Sequence, residues 1–170
     1  MQENELSIIV RTDHLPNDGK VIKASATEQQ RTDLASRFGV ISVESFDLEV
    51  TVKPITKHKI HVTGHVSGIV KQSCAVTLAE IENPVSDDFE VIYESVADDY
   101  VPLKEIDISP DEVETEDLID NKIDVGELAV EYFSLSINPY ARAEGAVFVD
   151  KIEPKEEDNP FSVLEKLKKS

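Results

Sequence analysis

The sequence predicts one α+β domain, built as a strongly bent antiparallel sheet or partial β-barrel with two packed helices, an acidic loop and a C-terminal helical arm. Two segments have the residue spacing of helices, and apolar residues alternate with polar ones over long runs that are typical of half-buried strands. A chain of 170 residues with 40% apolar residues can bury one core. We expect residues 1–145 to form the domain, and residues 146–170 to form an acidic linker and a short amphipathic helix.

The first elements are a short strand and a helix. Residues 5–10, "ELSIIV", predict the strand, and a polar, turn-rich segment follows it. In "SATEQQRTDLASRFG", Ser25 or Thr27 can cap the start of a helix and Gly39 can end it in the left-handed conformation. We expect this helix to pack on a sheet.

Strands follow, because the period of the apolar residues changes to two. One alternating run ends at Pro54, and the next run keeps its apolar residues at even positions from Ile60 to Leu78. This second run predicts one long strand that bends at its glycines. Asn83 and Pro84 predict the turn that follows, and the alternation in "VSDDFEVIYE" predicts the returning strand of an antiparallel hairpin.

The second half begins with an acidic segment. Residues 95–121 hold ten acids and one lysine, which predicts a solvated loop and makes this segment a candidate for disorder. In "KIDVGELAVEYFSLSINPYARAEG", apolar residues from Val125 to Phe133 have helical spacing, which predicts a helix with Asp124 as its N-cap, ended by Asn138 and Pro139. The C-terminal "NPFSVLEKLKKS" predicts an amphipathic helix that either docks on a partner or covers its own domain through Phe161, Leu164 and Leu167.

The net charge of −18 is distributed unevenly along the chain. Residues 1–72 hold nine basic and nine acidic side chains, whereas residues 73–170 hold eight basic and 26 acidic ones. This balance favours basic protein partners and argues against general nucleic-acid binding, which needs a basic surface. The alternative is that the charge serves solubility alone. The N-terminus resembles neither a signal peptide nor a membrane span, so we expect a cytoplasmic protein without membrane contact.

Direct contact with RNA would require a local basic patch in the first half. Four lysines near the histidine-bearing strand could form a patch for RNA phosphates, and the alternative is an ordinary solvated face; they are Lys53, Lys57, Lys59 and Lys71. His61 and His65 do not predict a metal site, because on a strand their side chains start ~13 Å apart.

Cys74, the single cysteine, does not indicate a catalytic or metal-binding role. It shares the apolar phase of its predicted strand, so we interpret it as a small core residue. One thiol cannot form a disulfide or a thiolate metal cluster, and no neighbour in sequence would activate it as a nucleophile. The chain also has no glycine-rich phosphate loop and no nucleophile elbow. We therefore expect no catalytic residue, no metal, no cofactor and no small-molecule substrate.

The segment "NPYARAEGAVF" presents an aromatic ring and a cation in acidic surroundings. Tyr140 and Arg142 are side chains of the types that most often anchor interfaces. They are candidates for partner binding. The alternative is that Tyr140 covers the core and Arg142 neutralises neighbouring acids.

Three motifs in order carry a resemblance to a known family: "HVTGHVSGIVKQSCAVTLAEIENPVSDDFEV", then "IDVGELAVEYFSLSINPYARAEG", then "NPFSVLEKLK". The chain resembles the YceD family of large ribosomal RNA subunit accumulation proteins, most closely its alphaproteobacterial branch. Many members end the bent strand in Cys-x-x-Cys, which implies metal and nucleic-acid binding. Here the first position matches Cys74 and the second is Thr77, so a metal role does not carry over.

The resemblance implies a non-catalytic factor that supports the processing or accumulation of large-subunit ribosomal RNA and ribosome assembly. The partner would be a ribosomal protein or a large-subunit rRNA precursor. The charge asymmetry suggests in addition that the acidic half shields a basic ribosomal protein. Two alternatives stay open, namely a metal-dependent RNA-binding protein and an enzyme that acts on RNA.

Overall fold

The structure is a computed structural model that describes residues 6–95 and 113–148. These residues form seven strands and two helices: β1 (Ile9–Arg11), β2 (Lys20–Ser25), α1 (Glu28–Phe38), β3 (Ser42–Pro54), β4 (Lys59–Ser73), β5 (Glu80–Ser95), β6 (Glu114–Leu118), β7 (Lys122–Asp124) and α2 (Val125–Ser136). The α+β class is therefore confirmed.

The main sheet has five strands in the order β2-β3-β4-β5-β6. Strands β2 to β5 run antiparallel to their neighbours, and β6 runs parallel to β5. Within the described residues the sheet is mixed and open, so the predicted antiparallel arrangement is correct for β2 to β5 and wrong for β6. Strands β1 and β7 form a separate antiparallel pair.

The acidic segment 95–121 is partly ordered, which corrects the predicted loop. Residues 114–118 form β6, registered from Val91↔Glu114 to Ser95↔Leu118. A parallel strand needs a crossover of a dozen or more residues, and the chain between β5 and β6 is long enough for one. Residues 96–112 of the predicted loop and all of residues 149–170, with the predicted C-terminal helix, lie outside the described residues.

One face of the sheet and the two helices enclose the core. Val50, Val62, Val66 and Val91 are fully buried on this face. Each such side chain contributes roughly 1.5–3 kcal/mol relative to exposure. Three aromatic rings join the layers, since Phe133 of α2 lies 4.9 Å from Phe46 of β3 and 5.7 Å from Phe38 of α1 between ring centroids.

Two glycines of β4 make room for this packing. A Cβ at Gly64 would lie 2.2 Å from the ring of Phe89, and a Cβ at Gly68 would lie 2.2 Å from the carbonyl oxygen of Ser45. Ser45 follows the irregularity in the pairing of β3 with β4, between Val43 and Ser45. The glycines therefore allow close approach of a ring and of the backbone.

Both helices begin at the predicted caps. The Thr27 side chain accepts the N–H of Gln30, whose side chain accepts the Thr27 N–H, and Gly39 ends α1 at φ +67°. Asp124 caps α2 by accepting the N–H groups of Gly126 and Glu127.

Candidate partner-binding site at the end of the hairpin

The β4–β5 hairpin turns at residues 74–79, earlier than predicted. The N–H of Cys74 donates to the carbonyl of Ala79 at 2.8 Å, and the N–H of Leu78 donates to the carbonyl of Cys74 at 2.9 Å. The prediction of a strand that continues to Leu78 and turns at Asn83-Pro84 is therefore wrong. Pro84 pairs with Ile69 inside β5. It is tolerated because β6 pairs with β5 only from Val91 onward, so this part of β5 is a sheet edge.

Leu78 is the unusual residue of the turn. It has φ +60°, a conformation that residues other than glycine seldom adopt, and its side chain is 77% exposed. An exposed apolar side chain in a strained turn contributes nothing to the core. It is available to a partner.

Cys74 is fully buried, as expected, but it lies in the turn and not in the strand. Its Sγ accepts three backbone N–H groups, from Ala143 at 3.2 Å, Thr77 at 3.4 Å and Val76 at 3.5 Å. These donors, the Ala143 N–H first, and the Thr77 side chain lower the pKa of Cys74 to about 6, although burial acts in the opposite direction.

The same thiol fixes the segment that follows α2. Besides the Ala143 bond to sulfur, the Ala75 N–H donates to the carbonyl of Ala141 at 2.9 Å, and Ala141 is buried. The Gln72 side chain donates to the carbonyl of Asn138 at 3.0 Å. Residues 138–143 are thereby held against the end of the hairpin.

Tyr140 and Arg142 project from this fixed segment. Tyr140 is 74% exposed, so it does not cover the core. Arg142 is exposed as well, and within residues 6–95 and 113–148 it has no hydrogen bond or ion pair. The backbone around them is ordered by Cys74 and by the Asn138 side chain, which accepts the Tyr140 N–H at 2.9 Å. Because the backbone that carries the ring and the cation is already ordered, binding a partner here would cost less conformational entropy of the main chain.

The four predicted patch lysines do not come together. Lys71 and Lys59 lie near opposite ends of β4, and a strand of this length separates them by roughly 40 Å. Lys71 is bound between Glu44 at 3.3 Å and Glu82 at 3.6 Å. Lys59 pairs with Glu94 at 3.4 Å, whereas Lys53 and Lys57 are exposed without such pairs in the described part of the chain. The four lysines therefore do not lie side by side, and the prediction that they bind RNA phosphates stays untested.

His61 and His65 lie on the polar face of the sheet and contact carboxylates. His61 Nε2 lies 2.6 Å from Glu90, and His65 Nδ1 lies 2.7 Å from Asp88. No group of three or more His, Cys, Asp or Glu in the described ranges is arranged to hold a metal ion.

A thiolate metal site does not fit the residues at the hairpin end. The second position of a Cys-x-x-Cys motif is Thr77, whose hydroxyl hydrogen-bonds the Cys74 sulfur. The sulfur is already surrounded by the N–H donors of the turn. A single thiol with these contacts lacks the ligand set of a structural zinc ion.

Sequence reasoning missed a second feature, the acidic side chains around β6. The Tyr132 hydroxyl donates to Glu114 at 2.8 Å, and the Tyr93 hydroxyl hydrogen-bonds Glu116. Burial, and then the charges of neighbouring glutamates, raise the pKa of Glu131 on α2. Strand β6 holds one apolar residue, Leu118, so no alternating pattern in the sequence predicts a strand there.

The fold and this site define an α+β protein whose exposed interface-type side chains stand on an ordered turn. No helix in the described part of the chain is long and apolar enough to cross a membrane. A family model described as large ribosomal RNA subunit accumulation protein YceD matches residues 62–168, more than half of the chain. The chain therefore belongs to the YceD family. Comparison with curated proteins and with solved structures finds no match.

Proposed function

We propose that this protein is a non-catalytic factor that supports the processing and accumulation of large-subunit ribosomal RNA and the assembly of the large subunit. The observation that carries the proposal is its membership of the YceD family, whose description names large ribosomal RNA subunit accumulation. The protein acts in the cytoplasm, by binding and without chemistry on a substrate.

Charge supports a basic ribosomal protein as the direct partner. The acids are concentrated in residues 73–170, which hold 26 acidic and eight basic side chains. Long-range attraction accelerates encounter with a basic protein and disfavours encounter with RNA phosphates. Large-subunit rRNA is then reached through the bound ribosomal protein, and direct RNA contact is confined to Lys53 and Lys57 at the β3–β4 turn.

The hairpin end supports a specific contact in addition to general attraction. Tyr140, Arg142 and Leu78 are exposed on a backbone that the Cys74 hydrogen bonds hold in place. Buried Tyr and Arg side chains account for much of the binding energy in many interfaces. Replacing one of them by alanine costs about 2 kcal/mol or more where it acts as an anchor, which is roughly a thirtyfold loss of affinity.

Depletion of the protein in its host tests the function. We expect the ratio of large to small ribosomal subunits in sucrose gradients to fall and large-subunit rRNA precursors to accumulate. The double variant Tyr140→Ala/Arg142→Ala should fail to restore the ratio, and the surface variant Glu144→Ala should restore it. An unchanged ratio after depletion contradicts the proposal.

Pull-down experiments at low salt test the partner. We expect a basic large-subunit ribosomal protein to be recovered with the full chain, and to be lost as the salt concentration rises. Recovery of neither such a protein nor large-subunit precursors contradicts this choice of partner. A metal-dependent RNA-binding protein would instead show stoichiometric zinc by elemental analysis.

A further inference from the structure

Strand β6 forms one edge of the main sheet. It pairs with β5 along one side, and no strand within residues 6–95 and 113–148 pairs with its other side. The N–H and C=O groups of an edge strand can accept another strand. The opposite edge, β2, carries Lys20 and Lys23, and lysines are a common protection of sheet edges. Strand β6, "ETEDL", has neither lysine nor proline, and the charges that protect it are all negative, so they repel acidic strands but not a basic one.

The side chains of β6 place acidic groups on both faces of the sheet. Glu114 and Glu116 lie beside the buried Val91 and Tyr93, on the face toward α2, where the tyrosine hydroxyls hold them in place. Asp117 is exposed on the opposite face.

Apolar residues flank these acids. Val113 precedes the strand at 36% exposure, and Ile119 follows it at 69% exposure. An open edge with acids on both faces and an apolar side chain at each end complements an extended segment that combines basic and apolar residues.

We propose that the outer edge of β6 binds a basic, extended peptide segment of a partner protein by strand addition, so that the segment becomes the sixth strand of the sheet. Main-chain hydrogen bonds to β6 supply part of the affinity. The acidic side chains favour a partner segment with a positive charge. This inference rests on the proposed function, because it states how the basic ribosomal protein is held.

A second copy of this chain fits the edge poorly. Two β6 strands side by side would bring acidic side chains against acidic side chains, and like charges directly opposite each other are destabilising. The chain as a whole has a net charge of −18, which opposes self-association over longer distances. The edge is therefore closed to copies of itself and open to a basic strand.

Three peptides of about ten residues, added to the full chain at low salt, test the proposal. The first alternates Lys and Val, the second alternates Glu and Val, and the third keeps the lysines of the first but has Pro in place of Val. Affinity is measured by fluorescence anisotropy, and the location of binding by amide hydrogen exchange. We expect the Lys/Val peptide to bind and to slow exchange at residues 114–118. The Glu/Val and Lys/Pro peptides should bind at least tenfold more weakly.

A pair of variants locates the site. The double change Thr115→Lys/Asp117→Lys should weaken binding of the Lys/Val peptide about tenfold. The control Asn17→Lys/Asp18→Lys makes the same change in charge on an exposed turn before β2 and should alter binding by less than about twofold. Circular dichroism checks that both variants fold. If Thr115→Lys/Asp117→Lys does not fold, the exchange data and the Lys/Pro peptide on the unaltered chain still test whether the peptide binds at β6.

Three outcomes overturn the inference: equal binding of the Lys/Val and Lys/Pro peptides, protection located away from β6, or no binding at low salt. The first would mean that charge alone attracts the peptide. None of them removes the proposed function, which depends on the subunit ratio after depletion. Conversely, an unchanged subunit ratio together with peptide binding at β6 would contradict the proposed function and support the binding site.

Discussion

Replacement of Asp124 should detach the N-terminal segment from α2 and destabilise the protein. Oδ1 of Asp124 accepts the N–H groups of Gly126 and Glu127 at 3.1 Å and that of Ile8 at 2.9 Å, and Oδ2 accepts the Ser7 hydroxyl at 2.6 Å. Loss of the N-cap costs about 1 kcal/mol. Loss of the two bonds to the N-terminal segment costs about 1 kcal/mol each, because the group is half exposed. Asp124→Ala should therefore lower the free energy of unfolding by about 3 kcal/mol.

The assay is urea unfolding followed by circular dichroism. In thermal unfolding, the expected loss of about 3 kcal/mol in the free energy of unfolding corresponds to a fall in Tm of roughly 6–12 °C for a chain of this length. Asp124→Asn keeps the Oδ1 acceptor and should lose about half as much, while Glu144→Ala, at an exposed position, should change the free energy by less than about 0.5 kcal/mol. Faster amide exchange at Ile8 should accompany the Asp124→Ala change. If Asp124→Ala unfolds at the wild-type urea concentration, the carboxylate does not join these two segments.

Three further predictions concern packing, pH and charge. Gly64→Ala places a methyl group against the Phe89 ring and should cost about 1–3 kcal/mol in urea unfolding, so a neutral result would contradict the packing. Because the folded pKa of Cys74 is lowered to about 6, below its ordinary value of 9.0, stability should rise as the pH goes from 6 to 9, and Cys74→Ala should lose this dependence. Thiolate absorbance near 240 nm should titrate with a midpoint near pH 6. The double change Lys59→Glu/Lys71→Glu should alter RNA affinity in filter binding by less than about twofold, because both lysines already pair with acids. A tenfold loss of affinity would show that these lysines bind RNA.

The sequence predicts best those elements whose signals are local. Both helices follow from apolar spacing with a cap, and Thr27 and Asp124 act as those caps. The two alternating runs are strands β3 and β4, and the long strand pairs antiparallel with the returning strand β5 as predicted. Burial of Cys74 was also predicted correctly, because its apolar phase continues to the end of β4.

The errors arise where pairing at a distance decides the structure. Asn83-Pro84 is a strong local turn signal, but the register of β5 on β4 places Pro84 in a strand at a free edge. Strand β2 is not predicted from the sequence, since an edge strand with two lysines buries little and shows no clear alternation. Strand β6 is stabilised by β5, which precedes it by many residues. No property of its own five residues distinguishes it from a solvated loop.

The lone thiol of Cys74 can be explained without a metal. A turn that surrounds a sulfur with N–H groups is suited to a thiolate, and the donors need an acceptor whether or not a metal is bound. In this chain the Thr77 hydroxyl adds a further donor. The sulfur thereby connects the hairpin to the segment that carries Tyr140 and Arg142.

A substitution series at Cys74 separates this role from simple core filling. Cys74→Ser keeps an acceptor, whereas Cys74→Ala leaves the three N–H groups buried without one, which is unfavourable. We expect the amide of Ala143 to exchange at least tenfold faster in Cys74→Ala than in Cys74→Ser, with a lower Tm for the alanine variant. If volume alone mattered, the two variants would behave alike. Equal exchange rates at Ala143 would therefore mean that the thiol fills the core and that another contact holds Tyr140 and Arg142 in place.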